Sequence, residues 1–139
     1  MFTRWSAFGI AALLYTASLG VAAGQSSSSG WTIPENAAQE KNPFAGDAKA
    51  VAEGKQLYSK NCQRCHGPGG KGDGPDADPD AQEDMDLTVA RRATRNPDGV
   101  VFYKMWNGRK KPKMPAVSDK LTKDEVWKIV SYVQTLRQK

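Results

Sequence analysis

Residues 62–66 read Cys62-Gln63-Arg64-Cys65-His66, and Cys-x-x-Cys-His is the pattern by which a chain holds a c-type haem. Two thiols at this spacing add to the vinyl groups of the porphyrin as thioethers. The histidine that follows is thereby placed under the iron as its proximal ligand. A haem held in this way supplies redox chemistry, while the chain supplies binding, orientation and electrostatics. Counting weighs the competing readings. A structural zinc site takes four ligands, usually Cys and His, and the chain has two cysteines and one histidine in all. A thioredoxin-like motif would follow a strand in a βαβ pattern, whereas the residues before Cys62 read as helix. A disulfide closing so small a loop would stabilise little.

The first residues read as an export signal. Arg4 supplies the positive start, Phe8 to Leu19 is mostly apolar, and Val21-Ala22-Ala23 has the small-residue form of a cleavage site. Residues 1–23 are therefore expected to be a signal peptide, cut after Ala23, leaving a soluble periplasmic or exported protein. Left uncut, residues 5–23 would be a membrane anchor of about minimum length. Ser6, Gly9, Thr16, Ser18 and Gly20 dilute that stretch and favour cleavage. Export suits the haem, since thioether attachment takes place beyond the cytoplasmic membrane.

Residues 24–46 are expected to be a flexible N-terminal tether, because Gln25-Ser26-Ser27-Ser28-Ser29-Gly30 has linker composition. Trp31-Thr32-Ile33-Pro34 and Asn42-Pro43-Phe44 interrupt it as apolar anchors that could dock on the domain. Residues 47–139 form the domain. Its charge is polarised. Residues 67–90 carry Lys71 against seven acidic residues, and residues 104–139 carry ten basic residues against three acidic ones. Such a molecule is steered by a charged partner, with rates that fall as salt rises. A basic face suggests nucleic acid in the abstract, but no nucleic-acid motif accompanies it, so none is expected.

Three helices are legible. Asp47 is a good N-cap for a helix from Ala48 to about Lys60, with Val51, Gly54, Leu57 and Tyr58 on one face. Gly54 costs about 1 kcal/mol relative to alanine inside a helix, and close approach by another helix is one reason to keep it. Asn96 reads as the cap of a second helix, with Pro97 first and Asn107-Gly108 as the stop. In the last helix Thr122 and Glu125 form a capping box, and Leu121 with Val126 a hydrophobic staple. Val126, Ile129, Val130, Val133 and Leu136 are its apolar stripe. Nothing reads as a strand. Residues 67–86, rich in Gly, Pro and Asp, read as a solvated loop. Asp76-x-Asp78-x-Asp80 tempts a calcium reading, but Ala81 and Leu87 stand where the calcium-loop pattern wants Gly and Glu.

With one histidine, the second axial ligand has to come from elsewhere, and a methionine sulfur is the strong candidate. Met1 leaves with the signal. Met105 sits mid-helix and is expected in the core. Met85 lies close in sequence to the haem motif. Met114 lies 48 residues after His66, between Pro112 and Pro115, far enough along for the chain to reach the opposite haem face. Met114 is the preferred ligand; Met85, a lysine and an open site are the alternatives.

Over residues 47–139 the chain resembles the monohaem class I cytochromes c of bacterial export compartments. The resemblance rests on Gly54 and Tyr58, Cys62-Gln63-Arg64-Cys65-His66-Gly67, the Gly69-to-Pro75 loop, Asn107-Gly108, Met114-Pro115, and Leu121-Thr122 through Trp127 and Tyr132. It implies an all-α fold of three to four helices wrapped around one covalently bound haem c. The cofactor-binding residues would be Cys62, Cys65, His66 and Met114, with His66 and Met114 on the iron. It also implies that a loop proline carbonyl accepts a hydrogen bond from the proximal histidine, with Pro75 the matching position and Pro68 second.

The expected function is one-electron transfer, not enzymatic catalysis, between exported or membrane redox partners. The expected partner is a protein with an acidic docking surface, met by a monomer. The alternatives are a haem subunit of a larger dehydrogenase complex and an open-site sensor or peroxidase, though no second histidine is available as a distal acid-base residue. Trp106, Trp127 and the arginines Arg91, Arg92 and Arg95 are candidate haem neighbours, the arginines for the propionates. Core packing for the rings and solvent for the arginines are the plainer roles.

Overall fold

The computed structural model describes residues 30–137. The expected signal peptide and residues 24–29 lie outside these. The chain forms helices α1 (Ala48–Asn61), α2 (Gln63–His66), α3 (Gln82–Met85), α4 (Asp98–Asn107) and α5 (Lys123–Leu136). Short 3₁₀ turns stand at Glu35–Gln39, Pro79–Ala81 and Ala90–Arg92. Among the described residues the only extended pairings are the bridges Lys71–Asp86 and Arg109–Met114.

Local signals start the long helices. Asp47 Oδ1 accepts from Lys49 N at 2.8 Å and Ala50 N at 3.2 Å, satisfying donors that the first turn of α1 leaves free. At α5, Glu125 N donates to Thr122 Oγ1 (3.3 Å), and Thr122 N donates to Glu125 Oε2 (2.8 Å). Helix α4 departs from expectation. Its cap position is Pro97, not Asn96. The Asn96 amide is engaged elsewhere: Nδ2 donates to Arg92 O (2.9 Å), and Oδ1 accepts from Lys104 Nζ (2.6 Å).

Helices α1 and α5 are the principal packed pair, and they meet at Gly54. A Cβ there would sit inside the van der Waals envelope of the Lys128 carbonyl. Val126, Ile129 and Val130 are fully buried, each contributing about 1.5–3 kcal/mol by leaving water. Tyr58 meets Tyr132 edge-on, with ring centroids 5.2 Å apart. Glu53 pairs with Lys128 at 2.7 Å beside the crossing. Trp106 and Trp127 take the core role: Phe102 stacks between them, 5.6 Å from one ring and 4.1 Å from the other.

Two expectations are corrected. Residues 30–46 are not a free tether but a strap fastened to the helices. Asn42 is buried, and its Nδ2 donates to Ser131 Oγ (2.9 Å) and Trp127 O (3.4 Å). Ala37 is buried against Gly99 at the start of α4. Trp31 lies beneath Arg109 and Lys104, at 4.7 and 5.4 Å from its ring centre. Burying these side chains offsets the entropy of ordering the segment. The acidic loop, likewise, is not simply solvated. Arg64 grips Asp76 with two hydrogen bonds of 2.6 and 2.9 Å. Glu83 pairs with Arg91 and Arg92, and Asp84 with Arg109.

Candidate functional site

A cavity of about 520 Å³ opens beside the Cys-x-x-Cys-His segment, within the range that organic cofactors occupy. Its apolar wall includes Val100, Val101, Ile129 and Val133; Ile33 of the strap also lines it. Cys62 ends α1, and the single turn α2 carries Cys65 and His66. Cys62 and His66 line the cavity, Cys65 is half-buried beside them, and neither thiol is in a disulfide. Burial, with the neighbouring Cys65, pushes the Cys62 thiol up to about 12.

The turn after His66 is fixed from several sides. Tyr58 Oη donates to Gly67 O at 2.7 Å, and Gly72 N donates to His66 O at 2.9 Å. Gly67 has φ +77°, a conformation that a side chain disfavours. The His66 ring donates through Nδ1 to Met85 O at 2.8 Å. Burial holds the imidazole below its ordinary value, and the bond to Met85 opposes that shift. A neutral ring with Nδ1–H committed to a carbonyl leaves Nε2 as a free lone pair, the state a metal ligand requires. The acceptor is therefore the backbone of Met85, at the end of α3, and not Pro75 or Pro68. The acidic loop folds back to present it, tied by Leu87 N to Gly70 O at 2.7 Å.

Two methionines, Met105 and Met114, stand on the cavity wall. Met85 is not on the wall; its Cβ abuts the Gly72 backbone. Met105 is buried within the core cluster, as its helical spacing predicts. Met114 sits in the loop between α4 and α5, paired with Arg109 in both directions at 2.8 and 2.9 Å.

The charged lining is mixed, with Asp84 and Asp86 among a larger number of cations. Arg92, Arg95, Lys104 and Arg137 line the cavity. Burial, reinforced by Arg109, Arg137 and Arg92, pushes the Lys104 ammonium down to about 8. Arg91 faces solvent with Glu83 instead. Arg92 and Arg95 are candidates that the sequence offers; Arg137 is not. Arg137 stands among polar tail residues, and its burial against the Asn96 and Leu87 carbonyls leaves no local mark.

A cytochrome c family model matches residues 51–137, more than half of the chain. This chain belongs to the cytochrome c family. Solved structures agree with the fold. Cytochrome cL from the marine methylotrophic bacterium Methylophaga aminisulfidivorans superposes with a TM-score of 0.54 at 24% identity, over 68% of this chain and 60% of that one. A chain of the Kuenenia stuttgartiensis reducing HAO-like protein complex matches with a TM-score of 0.55 at 28% identity, over 68% and 46%. A further c-type cytochrome matches with a TM-score of 0.50 at 25% identity, over 60% and 96%. This cytochrome thus spans less than two thirds of the first two chains it resembles. No curated protein sequence matches it significantly.

The all-α fold is that of a class I cytochrome c, and the cofactor is covalently bound haem c. The site fits that group on its own terms. It offers two thiols in no disulfide, an imidazole with one nitrogen free, an apolar chamber, and lining arginines suited to carboxylates. The family implies haem-based electron transfer. Among the described residues, no helix is long and apolar enough to cross a membrane.

Proposed function

We propose that this cytochrome is an exported one-electron carrier whose haem iron is held by His66 and Met114. Bound haem supplies the one-electron couple. Cys62 and Cys65 carry the thioethers, and Met85 O orients the proximal imidazole. The observation that carries the reading is that His66 and Met114 line the same cavity. Met114 is preferred over Met105 because it sits in a loop rather than inside the core cluster. With His66 and Met114 as its ligands, the iron would have no place left for substrate. A methionine ligand and an apolar wall both raise the reduction potential.

The test compares oxidised and reduced spectra, with and without carbon monoxide, for the wild type, Met114→Ala and Met105→Ala. The wild type and Met105→Ala are expected to show the weak long-wavelength sulfur-to-ferric-iron band and to ignore carbon monoxide. Met114→Ala is expected to lose the band and bind the gas. A wild type without the band that binds carbon monoxide readily would replace the carrier with an open-site sensor or enzyme.

Lys110, Lys111 and Lys113 are exposed in the Met114 loop, and they form the proposed docking face for an acidic partner. Replacing all three by glutamate is expected to slow electron exchange with that partner at least about tenfold at low salt and to flatten its salt dependence. Unchanged kinetics would place docking elsewhere.

A second reading, a haem subunit of a larger assembly, draws on the match to a chain of the Kuenenia stuttgartiensis complex. Size-exclusion chromatography of a native extract separates the two. A carrier elutes at the size of this chain alone, and a subunit elutes with its assembly.

A further inference from the structure

Several contacts converge on Arg109. Its Nη2 donates to Asp84 Oδ2 at 3.3 Å, and its Nε donates to Pro112 O at 2.9 Å. Its backbone pairs with Met114 in both directions, and its guanidinium carbon lies 4.7 Å from the centre of the Trp31 ring. The Arg109 side chain is 9% exposed and that of Asp84 30%. A pair so enclosed is screened by salt far less than a surface pair. Arginine's planar fork also fixes direction as well as charge.

Asp84 is the residue before Met85 in α3, and Met85 O holds the His66 ring. A helix of one turn has no stability of its own, because its nucleus is unfavourable. The position of the Met85 carbonyl is therefore set by what holds α3 from outside. Two sets of such ties involve side chains: Arg91 and Arg92 hold Glu83, with Arg92 Nη1 donating to Glu83 O at 2.5 Å, and Arg109 pairs with Asp84. The first links α3 to its own neighbourhood. The second links it to the Met114 loop, 25 residues further on.

We propose that the Arg109–Asp84 pair is a positioning staple between the two axial ligands. It joins the loop that presents Met114 to the turn that orients His66, so that loosening one side loosens the other. Asp84 also lines the cavity, but neither residue is one of the proposed ligands, and each acts through its neighbour. The proposal rests on the reading of Met114 as the second ligand.

The test uses the full-length protein with its haem covalently attached, so that no variant can lose the cofactor. Asp84→Asn, Arg109→Gln and the double variant are titrated with imidazole, which competes for the Met114 position. In the reduced state, NMR follows solvent exchange of the His66 Nδ1 proton. Each single variant is expected to bind imidazole at least about tenfold more tightly and to exchange that proton at least about tenfold faster. The double variant is expected to go little beyond either single one, since both remove the same interaction. Asp84→Asn is the mild, near-isosteric change and keeps the test open should Arg109→Gln fold poorly.

A lowered denaturation midpoint with imidazole affinity and proton exchange unmoved would make the pair merely structural and overturn the proposal. Met114→Ala separates the two readings. If it raises imidazole affinity while the pair variants do not, the staple alone falls. If it leaves imidazole affinity as in the wild type, the ligand assignment fails and the staple falls with it.

Discussion

Replacing Gly54 by alanine reverses the sign of an ordinary helix substitution. In an open helix, Gly→Ala stabilises by about 1 kcal/mol. Here the added Cβ would lie inside the envelope of the Lys128 carbonyl oxygen, 2.5 Å from its carbon and 3.1 Å from Ile129 N. Carbon atoms settle at about 3.5–4.0 Å, so α5 would have to recede by about 1 Å. The obstruction is backbone in the middle of a helix and cannot swing aside as a side-chain tip would. Overpacking of this kind costs about 3 kcal/mol at the upper end of its usual range. Subtracting the gain in helix propensity leaves a net loss of about 2 kcal/mol. The unfolding entropy of a domain this size is about 0.2 kcal/mol per kelvin, so Tm should fall by about 10 °C. Thermal unfolding of the haem-loaded protein, followed by circular dichroism, measures this. A Tm that holds or rises would mean that α1 and α5 do not cross at Gly54, and the packing argument would be wrong.

Three further outcomes follow from contacts already described. Asn42→Ala removes the hydrogen bonds to Ser131 and Trp127, so amide exchange over residues 31–45 should quicken at least about tenfold while α5 stays protected. Tyr58→Phe strands the Gly67 carbonyl and should cost about 1–2 kcal/mol in guanidinium denaturation. Burial raises the Tyr58 phenol above its ordinary 10.0. The unfolded chain therefore releases this proton first, and wild-type stability falls as pH rises past 10, a limb that the phenylalanine variant should lack. The Asp76 carboxyl is held below its ordinary 3.8 by its hydrogen bond to Arg64. Its stabilisation is present above 3.8 and fades as pH drops through the lowered folded value, so Asp76→Asn should flatten the acid limb of a stability–pH curve.

What was legible in the sequence is what depends on near neighbours. The capping box at Thr122, the Asp47 cap and the apolar stripe of α5 are written within a few residues, and the structure repeats them. Gly54 was legible because a glycine inside a good helix pattern calls for a neighbour. The acceptor for His66 was not legible, because a carbonyl is present at every residue. Only the path of the acidic loop chose Met85 over Pro75, and that path depends on pairings with Arg92 and Arg109 from beyond the loop. Asn42 was legible as part of an apolar anchor beside Pro43 and Phe44, but its partner was not, because Ser131 stands 89 residues away. Arg137 looks like solubilising charge until the fold turns it to the cavity.

The cavity wall draws on both ends of the described chain: Ile33 from the strap, and Ile129, Val133 and Arg137 from α5. The enclosure is therefore the last thing the molecule completes. A growing chain that has reached His66 already owns both thiols and the proximal imidazole, yet has almost no chamber around them. Covalent attachment suits this layout, because it would hold the cofactor by chemistry whether or not the wall is complete. It also makes damage at the two ends equivalent. Trimming the strap or fraying the last turn of α5 would open the same cavity, and each should let water in.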